Sequence, residues 1–437
     1  MNTLAIDSGH VIPGATKEQL EQMAAYNHTE LFKMNAVCDG GEVQVKDGVV
    51  WTYNPKANKG DIAFPHLVRS NAGSMLNEIM DYYRQKKAAG IGCWSMHPLP
   101  YRAMGVKLLA RGFQVGWQPN WMAIHLDNIQ TGHAVPQGLE IKEDNQTPTQ
   151  PLTDLPYSGN NGAVSAALLT AQPQVAQRFI ATLDGKIVGQ SCVFFTDGEQ
   201  QTAGLYEVGV VPAARNKGIG KAVVIAACLY ARQKGYKYAI LNGTGKKMYE
   251  DVGFVHISYG RTWWITNDNY IKQPPTRLAV LMAEAVGKGD IEALNAPEYN
   301  LTPAELDTPM INNMTLMQLA AHCKKPVTAE WLVQHGAAYT PLDAWKLGWE
   351  ERTENLLKAN PGEVNRRYGE GGLTLLHIAA EKDDMALAQL ALSLGADVTI
   401  RDKWHNGIAL GWAFYMGRTE MYNLLKKYMD ERGIPYE

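Results

Sequence analysis

Scarcity sets the first limits on this sequence. Of its 437 residues five are cysteine, Cys38, Cys93, Cys192, Cys228 and Cys323. They are scattered and form no C-x-x-C pair, which argues against a disulfide framework and against a zinc site. They read as reduced thiols, so the expected compartment is the cytoplasm. Net charge is nearly absent as well: 41 basic and 44 acidic residues leave −3 at neutral pH. No global field therefore favours nucleic acid or a membrane surface as a partner. The longest apolar run, AVVIAACLYA at 222–231, is about half of what a bilayer span requires, and it reads as a buried helix. The opening MNTLAIDSGHVIPGATKEQ lacks a basic flank and a sustained apolar stretch, so no secretory signal is expected. Neither H-E-x-x-H nor a Cys/His cluster occurs among 11 histidines, so no metal is expected.

The length itself implies two to four domains. The most informative stretch is AGLYEVGVVPAARNKGIGKAVVIAACLYARQKG at 203–235. A strand rich in small and β-branched residues ends at Pro212, a loop follows with Arg215, Gly218 and Gly220, and an apolar helix begins at once. Successive backbone amides in such a loop, with the positive end of the helix dipole, form a concave site for a diphosphate. The glycines let a ligand approach the backbone closely, and Arg215 adds a cation.

Upstream, residues 15–33 read as a helix, and GEVQVKDGVVWTY at 41–53 as a β-hairpin turning at Asp47-Gly48. Residues 61–64 add a strand. A helix is expected over 74–87 with Ser74 as N-cap, a strand over 90–98, a helix over 100–113 ended by Gly112, and strand-like segments over 115–126. GHAVPQG at 132–138 reads as a linker. Beyond it come a strand at GLEIKE, a poorly patterned helical region over 160–177, and a hairpin at 178–195 turning at Asp184-Gly185. After the 203–235 core, YAILN at 238–242 is a strand and KKMYEDVGF at 246–254 a short helix with a glycine stop.

That order, with V-V-P, R-x-x-G-x-G, the apolar helix and the later strand-helix-G-F unit, resembles the acetyl-CoA-binding core of the GCN5-related N-acetyltransferases, the GNAT superfamily. The ending has a twin: helix, Gly112-Phe113, short strand and Trp121-Met122 match helix, Gly253-Phe254, short strand and Trp263-Trp264. No R-x-x-G-x-G exists between 60 and 100. Residues 1–131 thus resemble a degenerate GNAT copy that walls the substrate cleft, with Trp51, Trp94, Trp117 and Trp121 as candidate lining residues or core. Residues 137–268 resemble a competent copy. The resemblance implies an α/β (α+β) GNAT fold in two tandem copies, followed by an all-α repeat array.

The array is read from 277 onward. Ala285, Ala320, Ala344, Ala379 and Ala413 head short helices at intervals of 35, 24, 35 and 34 residues. Thr374-Leu-Leu-His377-Ile-Ala-Ala is similar to the ankyrin T-P-L-H-x-A-A signature, with GAA at 336–338 and GAD at 395–397 where second helices end. The resemblance implies four to five ankyrin repeats over 277–437. The first, 277–306, is divergent, the 24-residue interval implies a missing hairpin finger, and His377 is expected to be structural.

The GNAT resemblance implies direct transfer of an acetyl group from acetyl-CoA to an amine. The amine must lose a proton, the carbonyl must be polarised, and the departing thiolate must gain a proton. Backbone groups at Val208, Val210 and Val211 are expected to hold the pantetheine arm. Those of Arg215, Asn216, Lys217, Gly218, Ile219, Gly220 and Lys221 are expected to hold the diphosphate. Tyr249, in M-Y-E-D-V-G-F, matches the family tyrosine that protonates the sulfur. Asn242 matches an asparagine that contacts the cofactor arm, and alternatively caps the following helix. Glu207 is the candidate base, with burial expected to raise its pKa; a water chain would serve equally, and Tyr206 is expected on the opposite face. The expected acceptor is a primary amine on a small molecule or peptide of the antibiotic or toxin kind. The array keeps two readings open: a protein substrate recruited by the repeats, and a non-catalytic binding protein that senses CoA.

Overall fold

The computed structural model describes residues 12–99, 101–149, 152–158, 162–243, 245–296 and 301–436. The chain forms two compact units, one ending at Pro275 and the other beginning at Thr276. No helix among the described residues is long and apolar enough to cross a membrane.

The first unit opens with α1 (Lys17–Cys38), β1 (Glu42–Lys46), β2 (Val49–Asn54), β3 (Lys59–Ala63), α2 (Ala72–Lys86), β4 (Gly90–Met96), α3 (Met104–Ala110), β5 (Gln114–Val115) and β6 (Asn120–His125). It continues with β7 (Glu140–Glu143), α4 (Ala166–Leu169), β8 (Ala176–Leu183), β9 (Lys186–Thr196), β10 (Thr202–Val210), α5 (Ile219–Gln233), β11 (Tyr238–Asn242), α6 (Lys246–Val252), β12 (Val255–Ile265) and α7 (Asn269–Lys272). Both hairpins turn where expected. Asp47 and Gly48 have φ of 48° and 76°, and Asp184 and Gly185 have 51° and 73°, the paired positive values of a turn whose twist suits the strands it joins.

Local corrections have local causes. The first helix runs past residue 33 to Cys38 and is held at its start by a capping box between Thr16 and Gln19. Ser74 is not an N-cap: Asn71 stands there, and the Ser74 hydroxyl donates to the Asn71 carbonyl inside the first turn. The helix expected over 100–113 occupies only Met104–Ala110, and Pro100 lies outside the described residues. Of the helical region at 160–177 only Ala166–Leu169 is helical, with 160 and 161 outside the described residues.

Among the described residues, twelve strands join one sheet in the order β1-β2-β3-β4-β12-β6-β11-β10-β9-β8-β7, with β5 against β12. The two halves exchange their last strands. β6 pairs with β11, from Tyr238 opposite His125 to Asn242 opposite Trp121. The later part of β12 pairs with β4, from Gly260 opposite Met96 to Ile265 opposite Ile91. The earlier part of β12 pairs with β6, so neither half has a complete sheet alone. On one face α5 and α6 bury Val224, Ala227, Cys228, Tyr249 and Val252 against Leu205 and Leu241. On the other, α1 reaches strands of both halves: Asn27 donates to the Phe194 and Thr202 carbonyls, while His28 packs 4.6 Å from Trp94.

The second unit contains the helix pairs 277–288 with 291–294, 316–322 with 326–334, 341–346 with 350–359, 375–382 with 385–393, and 409–415 with 419–430. Their small residues, among them Ala379, Ala380, Ala388, Ala391 and Ala413, are fully buried where helices approach closely. Only six residues part Gln334 from Pro341, where the short repeat interval falls, whereas a finger closed by Tyr368 and Leu373 precedes Leu375. His377 is structural. Its Nδ1 meets the Thr374 hydroxyl at 2.8 Å and its Nε2 the Gly407 carbonyl at 3.1 Å, so it ties one repeat to the next.

Candidate functional site

The site begins where two parallel strands part. β10 and β11 are in register from Ala203 and Ala239 to Leu205 and Leu241, and no further. A bulge between Tyr206 and Gly209 shifts β10 against β9, with Glu207 at φ 55°. The extra residue bends β10 away from β11, so the two strands part in a wedge beyond Leu205 and Leu241. After the bulge the Val211 N–H is hydrogen-bonded to the Val188 carbonyl. Val211 therefore faces β9, a correction to its expected role. By the alternation of an antiparallel pair, Val210, opposite Gly189, directs its backbone groups away from β9 and toward the wedge, while Val208 lies within the bulge itself. In the first half β3 and β4 remain paired from Lys59 and Gly90 through Ala63 and Trp94, leaving no such opening.

Below the wedge lies the glycine loop. Asn216 and Gly218 have φ of 62° and 81°, and α5 starts at Ile219 without a side-chain cap. Among the described residues, no protein acceptor is recorded for the amides of residues 216 to 221. Arg215 donates its Nε to the Val210 carbonyl at 3.2 Å, while its side chain stays exposed. Bare amides in succession at a helix start are what an anion needs. Lys221 is held by Asp251 of α6 at 2.7 Å, and Lys247 holds the same carboxylate at 2.7 Å. These hydrogen bonds keep the Asp251 pKa down at about 2. The glycines are also demanded by crowding: a Cβ on Gly220 would lie 2.8 Å from the Met248 sulfur. On Gly218 it would lie 2.2 Å from the Ala134 carbonyl oxygen. The connector at 132–138 thus crosses the loop, anchored by His133, whose Nε2 donates to the Asp251 carbonyl at 3.0 Å.

Tyr249 stands at the other edge of the wedge. Its ring covers Gly243, where a Cβ would meet Cε2 at 2.6 Å and the hydroxyl at 3.3 Å. Burial, with Tyr157 nearby, raises its pKa further above the usual phenol value, so the group is a proton donor at neutral pH. Asn242 ends β11 opposite Trp121. It does not cap α6, whose N-cap is Gly245.

Glu207 and Tyr206 do not point to opposite faces. The bulge breaks the alternation, and both side chains enter the cluster of Leu31, Val164, Leu168 and Cys192. Glu207 Oε1 accepts the Val164 N–H at 2.7 Å, and Oε2 accepts the Cys192 thiol at 3.2 Å. Burial raises the Glu207 pKa, while these hydrogen bonds and the distant Arg178 charge restrain the rise. Tyr206 donates to Asn27 Oδ1 at 2.7 Å, so its oxygen accepts from His28 Nδ1 at 3.3 Å. His28 is buried, its pKa lowered to about 3 by desolvation. Its Nε2 has no partner among the described residues, as a neutral ring protonated on Nδ1 requires.

Several participants carried no sequence signal. Asn27 and His28 come from α1, about 180 residues upstream, and Pro156 packs on Gly209 with its carbonyl accepting from Gln190 at 3.0 Å. Lys221 has its partner in Asp251, on another helix. Of the candidate lining tryptophans, Trp94 and Trp121 are buried around His28, Trp51 is buried beside Tyr82, and Trp117 is 39% exposed. Among the described residues no group of three or more His, Cys, Asp or Glu side chains could hold a metal.

Two family models match the chain: the acetyltransferase (GNAT) family over residues 148–254 and the ankyrin repeat over residues 371–403. Similar solved structures include a GCN5-related N-acetyltransferase from Kribbella flavida, at 13% identity and TM-score 0.45, covering 57% of this chain and 98% of that one. A tandem GNAT protein from the clavulanic acid biosynthesis pathway matches at 13% identity and TM-score 0.38, covering 57% and 96%. A GCN5-related N-acetyltransferase from Sphaerobacter thermophilus matches at 14% identity and TM-score 0.37, covering 58% and 96%.

Proposed function

We propose that this chain, which carries a GNAT acetyltransferase domain and an ankyrin-repeat region, moves the acetyl group of acetyl-CoA onto a primary amine of a small molecule or peptide. The observation that carries this reading is the wedge between β10 and β11 opening directly above the bare amides of residues 216–221. A diphosphate at the loop would send the pantetheine arm along Val208 and Val210 and bring the thioester beside Tyr249. The amine nitrogen attacks the thioester carbonyl, the carbon–sulfur bond breaks, and the Tyr249 hydroxyl gives its proton to the sulfur. Asn242, last residue of β11, is placed to contact the arm. The amine proton leaves through water, because both Glu207 oxygens are engaged in holding residues 163–164 and Cys192.

A protein acceptor is the second reading, favoured by exposed Trp404, Phe414 and Tyr415 on the repeats, the last 86% exposed. An antibiotic-like amine is the small-molecule version. Calorimetry with acetyl-CoA and with CoA tests the loop, and mass spectrometry of a cell extract incubated with protein and acetyl-CoA tests the transfer. Absence of CoA binding would end the reading, while binding without any acetylated product would leave a CoA-sensing binding protein.

A further inference from the structure

The helix pairs of the second unit share a register that makes their stacking faces comparable. In each, an alanine stands four positions before a residue of positive φ: Ala285 before Gly289, Ala320 before Lys324, Ala344 before Gly348, Ala379 before Asp383, and Ala413 before Gly417. The position after that alanine holds Val286, Ala321, Trp345, Ala380 and Phe414 in turn. Val286, Ala321 and Ala380 are fully buried. Trp345, half-buried, donates its indole N–H to Asp384 of the following pair at 2.7 Å. This position is where one repeat receives the next.

In the fifth pair it is open. Phe414 is 74% exposed, and no sixth helix pair follows among the described residues. One residue on, the first four pairs hold Gly287, His322, Lys346 and Glu381, whereas the fifth holds Tyr415, 86% exposed. Aromatic rings thus stand at the stacking face where the other pairs carry mostly small or polar residues. Met416 is exposed beside them, and the Tyr422 ring lies 5.9 Å from Phe414, so the patch continues onto the helix 419–430. Phe414, Tyr415 and Met416 leave about 400 Å² of side-chain surface uncovered, the size of patch that marks an interaction site.

A surface built to receive a helix pair fits another helix pair, and a second copy of the chain supplies one. In a two-fold contact the patch meets itself, so the aromatics of both copies are covered together and assembly stops at two. These side chains alone would bury about 800 Å², roughly half of what a stable complex buries, and the flanks of the helix 419–430 would supply the rest. The flanks do not oppose it. Glu420, Lys427, Asp430 and Glu431 are exposed charges of both signs, so a copy turned about a two-fold axis meets a mixed surface. A strongly acidic or basic partner would instead need a field of one sign.

We propose that the helix pair 409–415 with 419–430 is the contact face of a two-fold dimer of this chain, centred on Phe414 and Tyr415. The proposal does not depend on the acetyl-transfer reading.

Sedimentation velocity of the full-length chain, over a concentration series through the micromolar range, tests it. A reversible monomer–dimer equilibrium is expected. Phe414→Ala restores the residue that Ala321 and Ala380 provide at this register, so the repeats should melt as in wild type while dimerisation weakens about tenfold or more. Tyr415→Lys, with the residue type of Lys346, should weaken it similarly, and the double variant should be monomeric throughout. The proposal is overturned by a monomer at every concentration, which leaves the face to a protein acceptor, or by a dimer that both substitutions leave unchanged. Assemblies that keep growing beyond two also overturn it, since the patch would then meet a different surface of the next copy, such as exposed Leu278 and Leu281 on the helix 277–288.

Discussion

Replacing Glu207 separates two roles that the bulge allows. As a clasp, its carboxylate accepts the Val164 N–H at 2.7 Å and the Cys192 thiol at 3.2 Å, with the Ala163 N–H also pointing at it. Glu207→Ala strands these donors in a buried cluster at about 1–3 kcal/mol for an unsatisfied group. Part of the loss is offset, because the burial that raises the pKa already penalises the charge. A net destabilisation of about 3 kcal/mol is expected. Glu207→Gln keeps an acceptor for Val164 but turns an amide toward Cys192, so about 1 kcal/mol is expected. The pH dependence follows the raised pKa: the folded state binds this proton more tightly than the unfolded chain. Its stabilising contribution is full below the unfolded value of 4.5 and is lost as pH rises through the higher folded value. Glu207→Gln should abolish that slope. Urea melts over pH 4–8, with turnover on the same samples, read the outcome. A clasp predicts that the Gln variant keeps most of its turnover and the same acidic limb of the pH–rate profile. If it is as stable as wild type, loses about a hundredfold or more in turnover and loses the acidic limb, Glu207 is the general base and the clasp argument is wrong.

Tyr249→Phe should lower turnover by about a hundredfold with CoA affinity unchanged in calorimetry; equal losses in both would make the ring a packing residue. Gly218→Ala places a methyl against the Ala134 carbonyl at a φ of 81°. Affinity for CoA should drop about tenfold, equivalent to about 1.4 kcal/mol, whereas unchanged affinity would move the diphosphate site elsewhere. In the repeats, Asp402 accepts from the Trp404, His405 and Gly407 amides and from Trp412 Nε1, which lowers its pKa to about 2. Its contribution should be present above 3.8 and lost as pH falls through about 2. Asp402→Asn should cost about 2 kcal/mol and flatten the acid limb of the repeat-unit melt, read by circular dichroism.

Much of this protein was legible in order along the chain, because hairpin turns, helix starts and repeat periods are local. Asp47-Gly48 and Asp184-Gly185 specify their turns by tolerating positive φ, Gly218 and Gly220 announce a loop that a ligand can approach, and Thr374 with His377 marks an ankyrin repeat. Ser74 misled because a serine near a helix start can either accept an amide as the cap or donate to a carbonyl of the turn before it, and the choice depends on where Asn71 begins the turn. Glu207 misled because a bulge shifts alternation by one residue, and nothing in T-A-G-L-Y-E-V-G-V marks it.

Sequence by itself therefore determined the elements, the repeat class and the glycine loop, all set by the conformations open to a few neighbouring residues. Tertiary structure decided the rest. It exchanged β6 and β12 between halves, laid α1 across strands of both halves so that Asn27 and His28 hold Tyr206, and put Ala134 across Gly218. Those contacts join residues tens to hundreds of positions apart. They are fixed by which apolar faces and hydrogen-bonding edges remain to be covered once the local elements have formed, and no local pattern records that.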